Sequence, residues 1–163
     1  MQPGSPRILV ADSKQWNTYR GAKLTASKPN YAEAMRMLGL YDEDEIGSRP
    51  EKIIRNEKRL LDATGARIVA VTLDRDGAVI LERDRVPYRP FAQPVSLGCS
   101  SGAGDTFLAA FALALTAGAD TPAAAEIASA AAIDMTPDLA AMGVLSSAKR
   151  GLYEAPSNGH ANS

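Results

Sequence analysis

The run RIVAVTL, at residues 67–73, constrains the fold more than any other segment. Almost every position is apolar, without the alternation of a strand that has one face in water. Strands buried on both faces show this pattern, and they occur mainly in parallel sheets with helices on both sides. The segment therefore predicts a three-layer α/β fold with a mainly parallel sheet.

Segments on either side of this run fit the same architecture, because strand patterns alternate with helical ones. Gly39 and Gly65 follow two of the helical segments, as helix-ending glycines do. The predicted strands are 7–12, 23–27 and 67–73, followed by a hairpin built from AVILE and VPY. The predicted helices are 30–38, 51–64, one beginning at the glycines near residue 104, and one from Thr121-Pro122 to about Ile133.

Composition excludes several classes of protein. The chain has 163 residues, 45% of them hydrophobic, which suffices for one buried core. Its net charge of −1 argues against a nucleic-acid partner or an anionic membrane surface. The longest apolar run, 107–119, is too short for a membrane span, and the first residues do not resemble a secretion signal. We expect a cytoplasmic protein.

The single cysteine and the single histidine limit the possible chemistry. Cys99 cannot form an internal disulfide and is expected to be a small buried residue rather than a nucleophile. His160 lies in the segment 151–163, which is predicted to be a disordered tail. Without an imidazole in the folded region, a Ser-His-Asp triad or a zinc site is not expected. Carboxylates, backbone amides, hydroxyls and lysine remain.

The segment Gly102-Ala103-Gly104-Asp105 places small residues and one carboxylate at a predicted helix start. Backbone N–H groups and the helix dipole favour an anion there. The segment is not a Walker loop, since no Gly-Lys-Ser/Thr follows, and Phe107 occupies the third glycine position of the dinucleotide fingerprint. Alternatively, Asp105 only complements the helix dipole, with Ser100 or Ser101 as the helix cap.

Four segments together resemble the ribokinase-like (pfkB) carbohydrate kinases, in the order in which that family has them. GAGDTF and the alanine- and leucine-rich helix after it are similar to the signature near the family's C-terminus. KPNYAEA at 28–34 resembles its Asn-x-x-Glu segment, and VTLDRDGAVI at 71–80 resembles a strand-turn-strand element beside the nucleotide. DSKQWNTYRGAKLTASKPN at 12–30 most resembles the heptose-phosphate kinase branch.

The resemblance implies ATP-dependent phosphorylation of a hydroxyl on a sugar or sugar phosphate. Gly102, Ala103 and Gly104 would form the anion-binding loop, with the amides of Ala103, Gly104 and Asp105 facing the phosphoryl group. Asp105 would accept the proton of the sugar hydroxyl, and a carboxylate at a helix start is expected to be ionised.

Four further residues acquire roles from the same resemblance. Asn30 and Glu33 would organise Mg²⁺ and its waters near the phosphates, although Asn-x-x-Glu is equally a helix capping box. Thr72 and Gly77 would lie beside the nucleotide, or they form an ordinary hairpin turn.

The resemblance covers only the C-terminal half of such a kinase. Residues 1–150 are therefore predicted to be the nucleotide-binding and catalytic half, without the half that makes most sugar contacts. Two classes of function stay open: a partial catalytic module of a carbohydrate kinase, or a non-catalytic kinase-like remnant or partner subunit. The first strand would leave a sheet edge unpaired, so self-association or a complementing N-terminal half is expected.

Overall fold

The structure is a computed structural model that describes residues 7–12, 21–42, 47–91 and 102–141, without the side chains of Arg75 and residues 133–141. The predicted tail with His160 lies outside these ranges, as do Cys99, Ser100, Ser101 and the proposed domain boundary near residue 150.

Four strands form one sheet in the order β1-β2-β3-β4. Strands β1, β2 and β3 are mutually parallel, and β4 pairs antiparallel with β3 through the hairpin. The mainly parallel sheet predicted from the sequence is therefore confirmed. The strands are β1 (Val10–Ala11), β2 (Ala26–Ser27), β3 (Ile68–Thr72) and β4 (Ala78–Glu82).

In the described part of the chain, five helices cover the sheet, and two of them end at the glycines that predicted their ends. Gly39 and Gly65 adopt left-handed φ values of 65° and 67°, and their N–H groups bond to carbonyls of the preceding helical turn. A left-handed residue without a Cβ ends a helix at low cost. The helices are α1 (Tyr31–Leu38), α2 (Arg49–Arg55), α3 (Glu57–Thr64), α4 (Ala103–Thr116) and α5 (Thr121–Ala141).

Strand β3 contributes to two separate cores because alternate side chains point to opposite faces of the sheet. Val69 and Val71 face α1, α2 and α3, whereas Ile68 and Ala70 face α4 and α5. All four are at most 1% exposed, as the uniformly apolar run predicted. The first core also holds Leu24, Met35, Ile53, Leu60, Val79 and Leu81. The second holds Ala26, Ile80, Phe107, Phe111, Ala124 and Ala128.

The two N-terminal strands are shorter than the sequence predicted. Lys23 has φ 47°, a left-handed conformation that does not belong to a strand, so β2 begins only at Ala26. The N–H of Leu9 donates to Thr25 Oγ1 at 3.1 Å instead of to a backbone carbonyl, and β1 begins at Val10.

The helix predicted over 51–64 is two helices, α2 and α3, divided at Asn56. The backbone of Asn56 leaves the helical conformation (φ −101°, ψ 17°), and its side chain donates to the carbonyl of Lys52 at 3.0 Å. This break changes the rotational phase of the side chains. One continuous helix over 51–64 is predicted to bury a face formed by Ile53, Ile54, Leu60 and Leu61, but Ile54 is 37% exposed. At the other end of the chain, α5 extends to Ala141 rather than ending near Ile133.

The core around α4 yields a prediction with an internal control. Phe111 is fully buried and stacks on Phe107 with ring centroids 5.9 Å apart, whereas Leu113 on the same helix is 71% exposed. Phe111→Ala should lower the free energy of unfolding by about 3–5 kcal/mol, since it leaves a cavity. Leu113→Ala should change it by less than about 0.5 kcal/mol. Urea denaturation followed by circular dichroism measures both, and equal effects would contradict the packing described.

Candidate active site

The candidate site lies at the edge where the parallel strands β1, β2 and β3 end. Backbone hydrogen bonds between neighbouring strands continue past the ends of β1 and β2. The N–H of Lys28 donates to the carbonyl of Ala11 at 3.1 Å, and the N–H of Thr72 donates to the carbonyl of Pro29 at 3.0 Å. In this register Asp12 lies opposite Lys28, and Asn30 lies opposite Thr72. Polar residues from three strands thus meet at one edge, where α/β proteins commonly bind ligands.

Lys28 is buried at this edge and forms an ion pair. Its Nζ lies 2.9 Å from Oδ2 of Asp12, and the two side chains are 7% and 34% exposed. Both residues are two positions beyond residues of the second core, Val10 and Ala26, so they belong to the face of the sheet that α4 covers. The ammonium is therefore on the side of the sheet that carries the glycine-rich segment.

Gly104 brings the start of α4 against this ammonium. A Cβ placed on Gly104 would lie 3.2 Å from Nζ of Lys28, closer than ordinary side-chain contacts. The missing side chain therefore lets a buried cation approach the first turn of the helix. Glycine is used where another group must come this close to the backbone.

The start of α4 is not capped by a side chain of its N-cap residue. The N-cap is Gly102, with φ 94°, rather than Ser100 or Ser101 as the alternative reading expected. Its carbonyl accepts from the N–H of Thr106 at 3.0 Å, which leaves the amides of Ala103, Gly104 and Asp105 without a partner inside the helix. Three N–H groups at a helix start are suited to an anion. The Asp105 side chain is exposed in this first turn.

Asn30 and Glu33 form the capping box of α1. Oδ1 of Asn30 accepts from the N–H of Glu33 at 2.8 Å, and Oε2 of Glu33 accepts from the N–H of Asn30 at 3.0 Å. The capping box, which was the alternative interpretation of this pair, is therefore present. It does not exclude the metal role, because these two bonds do not use Oε1 of Glu33, and Oδ1 of Asn30 has a second lone pair. Asn30 is exposed and Glu33 is half-buried.

Thr72 and Gly77 enclose the turn between β3 and β4, a single 3₁₀ turn at Asp74–Asp76. The carbonyl of Gly77 accepts from the N–H of Leu73 at 2.8 Å, and its N–H donates to Asp74 at 3.2 Å. Gly77 (φ 80°) thus closes an ordinary hairpin turn, which was the alternative interpretation of Thr72 and Gly77. Thr72 is half-buried at the site edge.

Two cavities elsewhere in the described part of the chain contain none of the predicted site residues. The larger, about 650 Å³, lies between β4 and the start of α5, with Arg67, Tyr88 and Asp120 in its wall. The smaller, about 550 Å³, adjoins α1 and includes Tyr41 and Arg49. The candidate site is instead an open edge of the sheet.

Within the described ranges, no three His, Cys, Asp or Glu side chains come together as metal ligands, and no helix has the length and apolar character needed to cross a membrane. The first observation is compatible with Mg²⁺, which is commonly held by one or two carboxylates together with phosphate oxygens and water. The donor set of Asn30 and Glu33 suits such a partial shell.

Sequence reasoning missed two residues of this site, Asp12 and Lys28. A lysine between a strand and a proline is ordinarily expected in solvent. The available signal was the alternation from Ala26 to Lys28 on a buried strand, together with a carboxylate at the end of a neighbouring strand. This signal identifies the pair only when the register between β1 and β2 is known, and the register cannot be read from the sequence.

Comparisons with known proteins bear on the family and the fold of this chain. Residues 9–134 match the family described as pfkB family carbohydrate kinase. Among curated proteins, the Bifunctional protein HldE of Desulfatibacillum aliphaticivorans is 33% identical over 128 residues, which is 77% of this chain and 25% of that protein. The protein of the same name from Bradyrhizobium diazoefficiens is 33% identical over 130 residues, 79% of this chain and 25% of that one. The chain spans about a quarter of the length of these relatives.

Solved structures show the same fold. Phosphofructokinase-2 from Escherichia coli in complex with substrates and products superposes with a TM-score of 0.65 at 21% identity, covering 79% of this chain and 41% of that one. Ribokinase from Thermotoga maritima gives a TM-score of 0.58 at 22% identity, covering 78% and 42%. The ribokinase-like architecture predicted from the sequence is thus confirmed.

Proposed function

We propose that this chain, which belongs to the pfkB family of carbohydrate kinases, is the nucleotide-binding and catalytic part of an ATP-dependent kinase that phosphorylates a hydroxyl of a sugar or sugar phosphate. One observation carries the proposal: the glycine-rich start of α4, uncapped by a side chain of its N-cap residue, meets a buried ammonium at the carboxyl edge of the sheet. This arrangement offers a phosphoryl group both N–H donors and positive charge.

The glycine segment would act on the phosphoryl group. The amides of Ala103, Gly104 and Asp105 would donate to its oxygens, while the helix dipole stabilises the negative charge. These donors are part of the backbone and need no rearrangement when the nucleotide binds. Gly102 and Gly104 would admit the phosphate because neither has a side chain to exclude it.

Asp105 would act as the base. The sugar oxygen forms a bond to the γ-phosphorus, the bond from that phosphorus to the β-phosphate oxygen breaks, and ADP leaves. The hydroxyl proton passes to the Asp105 carboxylate. Its exposure in the first turn of α4 leaves it accessible to a substrate.

Asn30 and Glu33 would hold Mg²⁺ through their side-chain oxygens, with Thr72 and Gly77 beside the nucleotide. The metal, when bound, would neutralise part of the charge on the phosphates. Asn30 lies opposite Thr72 across the parallel ladder. The proposed metal site and the proposed nucleotide site are therefore adjacent.

A heptose phosphate is the proposed acceptor, on the strength of the segment 12–30 and its resemblance to the heptose-phosphate kinase branch. The alternative is a non-catalytic kinase-like remnant or partner subunit, since this chain covers 25% of a curated relative and 41% of a solved phosphofructokinase-2. Nucleotide binding and turnover distinguish the two.

The first test is calorimetric titration with Mg-ATP. We expect weak binding, with a Kd of about 1 mM or below. Gly104→Val should weaken it, because the added side chain displaces the Lys28 ammonium. Ala109→Val adds a comparable side chain at an exposed position of the same helix and should leave binding unchanged. A folded sample that releases no heat at millimolar ATP would overturn the proposal.

The second test concerns Asp105 in an assembly that phosphorylates sugar. Asp105→Asn keeps the shape of the side chain but removes the base, so turnover should fall at least about a hundredfold with ATP binding nearly intact. Asp120→Asn is the matched control, since Asp120 also lies at a helix start and accepts from the N–H of Ala123 at 2.8 Å. Unchanged turnover in Asp105→Asn would place the base elsewhere.

The third test concerns the partner of this chain. Among the described strands, β1 forms one edge of the sheet, and Leu9 beside it is 46% exposed. Such an edge recruits another strand, so the isolated 17.2 kDa chain should self-associate and show no sugar-dependent ATP consumption without a complementing N-terminal half.

Sedimentation velocity and a coupled kinase assay examine this expectation. Leu9→Lys, which places a charge beside the edge, should shift the chain toward the monomer. Val86→Lys, at a position that is 88% exposed in the turn after β4, should not. A monomeric wild-type chain with sugar-dependent turnover would show that the residues present suffice.

A further inference from the structure

We propose that the larger cavity, between β4 and the start of α5, is a second binding site, and that it takes an organic cation with an ammonium group on an apolar body. The cavity has a volume of about 650 Å³. Arg67 in its wall precedes β3, and Glu82 pairs with Ile68, the first residue of that strand. The cavity therefore lies at the amino end of β3, whereas the candidate active site lies at the carboxyl end. The proposal does not rest on the kinase function.

The walls of this cavity come from the side of the sheet that is farthest from β1. The lining residues lie beside the start of β3, on β4 and the turn after it, at the end of α4 and at the start of α5. In the strand order, β1 and β4 occupy opposite ends. A strand that pairs with β1 would therefore leave the cavity open, and the isolated chain is sufficient to test the proposal.

Much of the lining is apolar. Ile80 and Leu115 belong to the second core, and Val86, in the turn after β4, is 88% exposed. The half-buried Tyr88 adds an aromatic ring. Cavities of roughly 300–1,000 Å³ that combine apolar walls with a few polar groups are typical of small-molecule sites. We therefore expect the ligand to have an apolar body.

The charges of the lining favour a cation. The guanidinium of Arg67 is already paired with Glu82, whose Oε1 lies 3.4 Å from Nη1. Within the described residues, neither Asp84 nor Asp120 forms an ion pair. Arg85 is the second guanidinium of the lining, which holds three carboxylates in all. An ammonium group therefore complements the excess of negative charge.

The two carboxylates without an ion pair come from different walls of the cavity. Asp84 lies in the turn after β4, and Asp120 directly precedes α5. Oδ1 of Asp120 accepts from the N–H of Ala123 at 2.8 Å, which leaves Oδ2 for a ligand. An ammonium group has three N–H donors. A single ammonium can therefore bond to carboxylates of both walls.

Tyr88 reflects the negative potential of the same wall. Its hydroxyl donates to Oε1 of Glu126, and this bond raises the pKa of Tyr88, with a further contribution from the charge of Asp120. Because the hydroxyl is engaged, the ring is the part of Tyr88 that a ligand can contact. The face of an aromatic ring attracts cations.

The smaller cavity has the opposite charge balance. Its lining includes the guanidiniums of Arg36 and Arg49 and one carboxylate, that of Asp42. Nζ of Lys52 already donates to Oδ1 of Asp42 at 2.6 Å. We therefore expect a cation in the larger cavity and not in the smaller one.

The experiment is NMR titration of the ¹⁵N-labelled full chain with three probes that share a phenethyl body: 2-phenylethylammonium, 2-phenylethanol and 3-phenylpropionate. The ammonium should bind with a Kd of about 1 mM, roughly fivefold more tightly than the alcohol, and the carboxylate should bind most weakly. The amides of Asp84 and Thr121 should shift. Those of Gly39 in the smaller cavity and Gly104 at the candidate active site should not.

Asp84→Asn should weaken the binding of 2-phenylethylammonium about threefold to tenfold, because it removes one carboxylate charge. Asp74→Asn is the matched control and should leave the affinity unchanged. Asp84 and Asp74 have φ values of 60° and 53°, are both exposed, and lie in the turns at opposite ends of β4. Asparagine tolerates this left-handed conformation, so both variants should keep their turns. Asp120→Asn should also weaken the ammonium, while asparagine can still cap α5.

Each other outcome overturns part or all of the proposal. Equal affinity for the three probes would indicate an apolar site without preference for a cation. Tighter binding of 3-phenylpropionate, or unchanged binding of the ammonium in both Asp84→Asn and Asp120→Asn, would contradict the role of the carboxylates. No shift with any probe at about ten times the expected Kd would exclude the site. Titration with Mg-ATP tests the kinase proposal separately, and none of these results changes its outcome.

Discussion

The burial of Ile68 to Val71, the first four residues of β3, on both faces of the sheet is the constraint on which the rest of this structure depends. A strand with apolar side chains on both faces must be covered on both faces, and two separate cores meet that requirement. Helices α1, α2 and α3 form one layer, while α4 and α5 form the other. Because α4 must pack its Phe107 and Phe111 against the sheet, its first turn is held at the edge where the parallel strands end.

That placement gives the site its electrostatic character. The start of α4 contributes partial positive charge and three amides that have no partner inside the helix, and Lys28, which directly follows β2, contributes a full charge. Gly104 lets the two approach closely, and Asp12 from β1 partly balances them. Each contribution comes from the backbone or from a residue fixed by the strand ladder. The candidate site therefore consists of groups that the fold already holds in place, as the proposed stabilisation of a transferring phosphoryl group would require.

Much of this fold could be predicted from local signals in the sequence. The apolar run of β3, the helix-ending Gly39 and Gly65, and the hairpin after Leu73 depend on short-range chemistry, and the structure contains all of them. The break at Asn56 was missed because the apolar spacing on its two sides resembles one continuous helix. It arises when the Asn56 side chain bonds to the backbone of Lys52, a competition that spacing alone does not reveal.

The site was predicted less completely than the fold for a related reason. The glycine segment and the Asn30–Glu33 pair are contiguous motifs, so a reader can find them in one stretch of sequence. Lys28 and Asp12 acquire meaning only from the register that places them side by side and from the approach of α4. Such juxtapositions depend on tertiary structure, and a lysine by itself is most often a solvated surface residue.

A crystal structure of the chain grown with Mg²⁺ and a non-hydrolysable ATP analogue tests the central claim most directly. The account predicts phosphate oxygens within hydrogen-bonding distance of the Ala103 to Asp105 amides and of Lys28 Nζ. Nucleotide bound instead in the cavity beside Arg67 and Tyr88, with the start of α4 unoccupied, would contradict it.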